Sequence, residues 1–183
     1  MKFLKWLGII LGSLIILAII GYQLLVYNTK QHSPEDVVNY KGNGYDIEVV
    51  YSRPFKKGRV IFGELVPYGE TWRTGANEPT SFETGTDLLI KGQELPAGKY
   101  TLWTVPEKKE WEVIFNEGKY GWGVDFSQKA SRDPELDVVN VTIPAFINYN
   151  VREQFTIEVD GDPVTLMLAW DSIQVNVPLE LKN

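Results

Sequence analysis

The chain contains no cysteine and only one histidine, His32. Without a thiol there is no disulfide, no thiolate nucleophile, no lipidated cysteine and no zinc–cysteine site. A lone imidazole beside the apolar N-terminus leaves no place for a Ser-His-Asp triad, a Cys-His dyad or a histidine-based zinc centre. His32 itself reads as a surface residue. Charge is missing from Trp6 to Thr29, a run dominated by Leu and Ile. Beyond residue 30 no sustained helical stripe, internal repeat or low-complexity tract is visible.

The uncharged run amounts to about 36 Å of helix, enough to cross a hydrocarbon core of about 30 Å. Lys2 and Lys5 precede it, and the far flank turns acidic at Glu35 and Asp36. The positive-inside rule then places the N-terminus in the cytoplasm and the rest on the other side. A cleaved signal peptide has a shorter apolar region and a small-x-small cleavage site; here the run is longer and no Ala-x-Ala follows before Gln31. The expected organisation is a cytoplasmic tip over 1–5, a transmembrane signal anchor over 6–29, a polar stalk over 30–43 and an extracytoplasmic domain over 44–183. The expected location is the cytoplasmic (inner) membrane, single-pass, with the domain facing the periplasm or exterior. After position 30 there are 15 basic and 24 acidic residues, a net charge of −9. Such a domain as a whole repels nucleic acid and anionic lipid surfaces, so neither is expected as a partner.

From Gly44 onward the apolar residues alternate with period two between short turn-rich breaks. Ile47, Val49 and Tyr51 share a face, as do Trp111, Val113 and Phe115, then Phe155, Ile157 and Val159. Val164 to Trp170 and Ile173 to Leu179 follow. Asp160-Gly161-Asp162-Pro163 and Asp171-Ser172 read as short hairpin connections. Further strands are expected at Ser81–Thr84, Leu88–Ile90, Lys99–Val105 and Val138–Ile143. Pro178 fits only an edge strand or a strand end. The fold class is all-β, an antiparallel β-sandwich of about eight or nine strands preceded by one N-terminal transmembrane helix.

One segment breaks the alternation: Gly58 to Thr80, GRVIFGELVPYGETWRTGANEPT. A long irregular connection inside a compact sandwich is either functional or tightly pinned. Its strings GR-x-IFG-x-LVPYG and WRTGANE-x-T stand with LPAGKYTLWTVP, WEVIFN, the pair Trp122-Gly123 and a closing LAW. Together, from about Asp46 to Leu181, they resemble a family catalogued as domain of unknown function twenty-nine eleven. The resemblance implies an exported bacterial protein and brings no activity, substrate or catalytic residue. Family members start with a cleavable signal, from which the longer apolar span of this chain departs.

Within WRTGANE, Arg73 and Glu78 admit two readings. In one they form a buried ion pair, with Asn77 capping a turn, that holds the segment against the sheet. In the other, Arg53, Arg59 and Arg73 form a cup for a carboxylate or phosphate, walled by Tyr68 and Trp72. Trp103, Trp111 and Trp170 lie in strands and belong to the core, while Trp72 and Trp122 sit in Gly-rich loops and are candidates for stacking on a ligand. The ligand-binding candidates are therefore Arg59, Tyr68, Trp72, Arg73, Asn77, Glu78 and Trp122. No catalytic residue, metal site or cofactor is assigned; Asp160-Gly161-Asp162 is too short for a calcium cage. Paired carboxylates among Glu64, Glu70, Glu78, Glu83 and Asp125 would be needed for glycan hydrolysis, and chance can bring two together. The sequence thus points to a non-catalytic module anchored through residues 6–29 that binds a glycan, peptide or envelope protein. The alternatives are a carboxylate-dependent hydrolase of cell-envelope glycans and an assembly subunit with no small-molecule site.

Overall fold

The computed structural model describes residues 2–182, which form two separate units, a helix ending at His32 and a β domain beginning at Ser33. Helix α1 spans Lys2–His32. Within Lys5–His32 an 18-residue stretch reaches a mean hydropathy of 2.5, and the helix is long and apolar enough to cross a membrane as an anchor or a signal sequence. Its polar side chains bond within the helix: Ser13 Oγ donates to the Ile10 carbonyl and Thr29 Oγ1 to that of Leu25. In lipid no water is present to satisfy them.

The domain is antiparallel β, as the alternation required. Its strands are β1 (Glu35–Gly42), β2 (Tyr45–Ser52), β3 (Thr80–Thr84), β4 (Leu88–Ile90), β5 (Gln93–Leu95), β6 (Gly98–Pro106), β7 (Glu110–Asn116), β8 (Asp137–Asp160), β9 (Thr165–Pro178) and β10 (Glu180–Leu181). Seven of them form one sheet in the order β1-β2-β3-β6-β7-β8-β9, and β10-β4-β5 form a small second sheet. The first half of β8 pairs with β7, whereas its second half pairs with β9. The long strand therefore carries the chain over the core. Ile47, Val49 and Tyr51 of β2, Trp111, Val113 and Phe115 of β7, and Phe155, Ile157, Leu166, Leu168 and Trp170 from β8 and β9 meet in a single apolar cluster.

Three expectations are corrected. The stretch 30–43 is no stalk: Lys30–His32 continue α1, and Glu35–Gly42 pair with β2 along their whole length. Only Val38 and Tyr40 of this edge strand pack against the core, and its outward face is wet, so the composition is polar. Asp171-Ser172 is no hairpin, because β9 runs unbroken through it; Asp171 takes a positive φ of 53° at a register shift opposite Arg152. Likewise Val138–Ile143 and Phe155–Val159 belong to one 24-residue strand. The Asp160–Pro163 connection is a hairpin, and Pro178 ends an edge strand, as expected.

The strand edge of β8 that β9 leaves open over Asn140–Thr142 is covered by side chains. Gln93 donates to the Asn140 carbonyl at 2.8 Å and accepts from its N–H at 3.2 Å, reproducing a strand pair, while Lys91 Nζ donates to the Thr142 carbonyl. Trp103 is fully buried, but beneath the connection after β7 and outside the central cluster: its ring meets Tyr120 edge-on at 5.3 Å. Asn116 holds that connection down by donating to the Asp133 carbonyl and Asp137 Oδ1, and by accepting from the Gly118 N–H and the Tyr120 hydroxyl.

Candidate functional site

The WRTGANE string forms a closed loop on the end of the main sheet. Trp72 extends the β3 row along β6, exchanging backbone hydrogen bonds with Thr104 at 2.7 and 2.9 Å. The Thr80 N–H then returns to the Arg73 carbonyl, so eight residues leave the sheet and come back to almost the same point. Such a compact loop needs strained backbone, which Thr74 (φ 52°) and Asn77 (φ 60°) supply. Asparagine tolerates this region because its short amide can bond locally; threonine at Thr74 is held there by its neighbours. Thr80 Oγ1 donates to the Thr74 carbonyl, and the Thr74 and Thr104 hydroxyls share a hydrogen bond at 3.2 Å.

The loop faces inward. Asn77 is 3% exposed and its amide donates to the Ser33 carbonyl and to Ser52 Oγ, each at 3.1 Å. Gly75 lies so close to β2 that a Cβ there would stand 3.0 Å from the Ser52 carbonyl oxygen. The Trp72 indole N–H donates to the Gly75 carbonyl at 3.0 Å. Its ring stacks on Trp170 at 6.0 Å with 18° between planes, and meets Phe155 and Trp111 at 5.0 and 6.2 Å. This wall of the expected cup is thus one member of an aromatic cluster continuous with the core.

Arg73 is half-buried, and its Nη1 donates to the Trp122 carbonyl at 2.7 Å. Burial pushes the guanidinium pKa down, and the nearby Glu78 charge pushes it back up. Gly123 makes this junction: with φ 73° it lets the Trp122 turn settle on Pro79, where a Cβ would lie 2.6 Å from the proline Cγ. Two Gly-rich loops far apart in sequence therefore meet at Arg73, with Trp122 and Glu78 half-exposed beside them.

Arg53 and Arg59 are committed elsewhere. Arg53 donates to Asp36 Oδ2, Thr156 Oγ1 and the Phe155 carbonyl, tying β8 to the start of β1. Beside it, buried Tyr51 accepts from the Ile157 N–H at 2.9 Å, and burial raises its pKa. Arg59 is exposed and donates to the Phe55 and Lys56 carbonyls. Tyr68 is half-buried over Gly63, with Lys108 Nζ 5.9 Å above its ring. The structure thus joins Arg73, Asn77, Glu78 and Trp122 to one loop junction, and gives Arg53 and Arg59 partners of their own.

Sequence reasoning missed Ser52, Thr74, Thr80, Thr104 and Asn116, all buried and polar. For all but Thr74, which lies in the loop, the available signal was a hydroxyl or amide at an inward strand position or strand end, where a partner is obligatory. Among the described residues no group of three or more His, Asp or Glu side chains could hold a metal ion. An open depression of about 290 Å³ lies on the β8–β9 hairpin, lined by Glu158, Asp160, Gly161, Thr165, Met167 and Asn176, none of them in the WRTGANE loop.

Residues 33–179 match the family model described as Protein of unknown function (DUF2911). The chain belongs to this family. No curated protein and no solved structure matches it. The DUF2911 match begins at Ser33, the residue with which the β domain itself begins, so the family region includes β1.

Proposed function

We propose that this DUF2911 protein is a single-pass protein of the cytoplasmic membrane that works by binding. Its N-terminus lies inside and α1 stays uncleaved. The β domain faces the periplasm or exterior and takes a glycan, peptide or envelope-protein partner on the surface around Gly58–Thr80. The observation that carries the binding reading is the junction at Arg73, where a partly desolvated cation donates to the backbone carbonyl of the half-exposed Trp122. A planar cation and a half-exposed indole side chain from one junction suit glycans and peptides, since one can supply directed hydrogen bonds and the other a stacking face.

A second reading, a structural or assembly subunit without a small-molecule site, is favoured by the inward hydrogen bonds of Asn77, Thr74 and Thr80. Retention of the full chain on insoluble cell-wall glycan, with and without Trp122→Ala, separates the two. Binding at the junction predicts at least a tenfold loss of retention with an unchanged urea midpoint. Equal retention of parent and variant refutes it. Protease added outside spheroplasts checks the topology: the domain should be digested, full protection would overturn the orientation, and release of a soluble protein lacking residues 1–30 would show cleavage.

A further inference from the structure

Four of the domain's exposed large apolar side chains fall within six residues of β8: Phe146 (52% exposed), Ile147 (71%), Tyr149 (94%) and Val151 (58%). The ladder explains why they project. Ile147 pairs with Ile173 and Arg152 with Asp171, so residues 148–151 stand opposite Ser172 alone and bulge out of the sheet. The Asn150 N–H donates to Asn148 Oδ1, and the Asn148 amide donates to Gln174 Oε1, shaping the tip.

Strand direction places this bulge at one end of the domain. Glu35 pairs with Ser52, and the Arg53 N–H donates to the Pro34 carbonyl, so the chain from Arg53 onward runs toward the point where the domain begins at Ser33. That segment continues antiparallel to β8 through Phe155 N–H to Pro54 and Lys56 N–H to Glu153. The bulge lies further in the same direction. The Asp160–Thr165 hairpin lies at the opposite end, about 30 Å along β8 from Val151 at about 3.3 Å per residue. Asp162 there is close enough to Tyr45, at the β1–β2 turn, to act on it electrostatically.

The entry end also gathers basic residues. Arg53–Val60 (RPFKKGRV) holds four basic and no acidic residues; Arg53 pairs with Asp36 and Lys56 with Asp171, while the Lys57 and Arg59 side chains are exposed. Since the domain starts directly after the apolar helix ends at His32, its entry end is covalently held close to whatever bilayer holds that helix.

We propose that Phe146, Ile147, Tyr149 and Val151 seat in the interfacial layer of the bilayer, with Lys57 and Arg59 facing anionic lipid headgroups. Tyrosine and phenylalanine suit a boundary that is apolar on one side and wet on the other. Cations beside them are attracted by anionic headgroups in the leaflet they face. The bulge is then a foot that fixes which surface of the domain faces away from the membrane. This rests on reading α1 as an uncleaved span.

The absence of native cysteine makes the test direct. The full chain is reconstituted into vesicles of zwitterionic and anionic lipid containing spin-labelled quenchers, a shallow one for the domain labels and one at the bilayer centre for the label at 17. Single-cysteine variants Tyr149→Cys, Val151→Cys, Asp162→Cys and Leu17→Cys carry an environment-sensitive fluorophore. Quenching at least twofold at positions 149 and 151, with none at 162, is expected. Labels at 149 and 151 as unquenched as that at 162, while the label at 17 is quenched, overturn the foot and leave the anchor standing. An unquenched label at 17 overturns the anchor and the foot with it. A blue shift at 149 that grows with protein concentration and is insensitive to the lipid quencher assigns the patch to a second copy, which also overturns the proposal.

Discussion

Asn77→Ala should be among the most costly substitutions in the WRTGANE loop, and its cost can be built from parts. The variant deletes two hydrogen bonds from a buried amide, to the Ser33 carbonyl and Ser52 Oγ. Each contributes about 1 kcal/mol net. Asn77 also sits at φ 60°, where alanine is worse than asparagine by about 1 kcal/mol. The sum is about 3 kcal/mol. With a urea dependence of about 2 kcal/mol/M for a domain of this size, the unfolding midpoint should fall by about 1.5 M. Asn77→Gly separates the two contributions, because glycine accepts the backbone but also loses the bonds; it should fall by about 1 M. Tryptophan fluorescence reports the transition, since Trp103, Trp111 and Trp170 are fully buried. A midpoint for Asn77→Ala within about 0.5 M of the parent would refute the pinned loop. So would a glycine variant less stable than the alanine variant, because the strain at φ 60° would then not exist.

Gly123→Ala should destabilise by about 2 kcal/mol or more in the same melts, because its φ of 73° and the 2.6 Å approach to Pro79 Cγ leave no room for a methyl group. A midpoint unchanged from the parent would mean that the Trp122 turn does not rest on Pro79. Tyr51 should make the domain sensitive to alkali: burial raises its folded pKa above the ordinary value of 10.0. Its contribution is fully present below pH 10, and it is lost as pH rises from there through the folded pKa. Stability measured between pH 9 and 12 should therefore fall less steeply in Tyr51→Phe than in the parent, though the variant starts lower because the Ile157 N–H loses its acceptor. Parallel slopes would show that Tyr51 ionises as freely in the folded as in the unfolded chain.

The sequence by itself determined whatever depends on near neighbours. An uncharged run of fixed length makes α1 a membrane-length helix, since helical rise is a local property. Period-two alternation put Ile47, Val49 and Tyr51 on a buried face, because strand side chains alternate wherever the strand lies. Local pattern failed where pairing overrode it. β1 looked like a stalk because an edge strand buries only a few side chains, and β8 and β9 looked like four short strands because bulges at 148–151 and Asp171 interrupt the period without ending the ladder. The motif loop was legible as an irregular segment, and its residues as unusual. Whether they point inward or outward was not. Asn77 finds Ser52 across 25 residues, Thr74 finds Thr104 across 30 and Arg73 finds Trp122 across 49. A donor's type is written in its own side chain, but its partner is chosen by chain reversals in between. Only the tertiary structure decided that Trp72 joins the aromatic core, that Arg53 is spent tying β8 to β1, and that the exposed apolar residues of β8 gather at the end where the chain enters the domain.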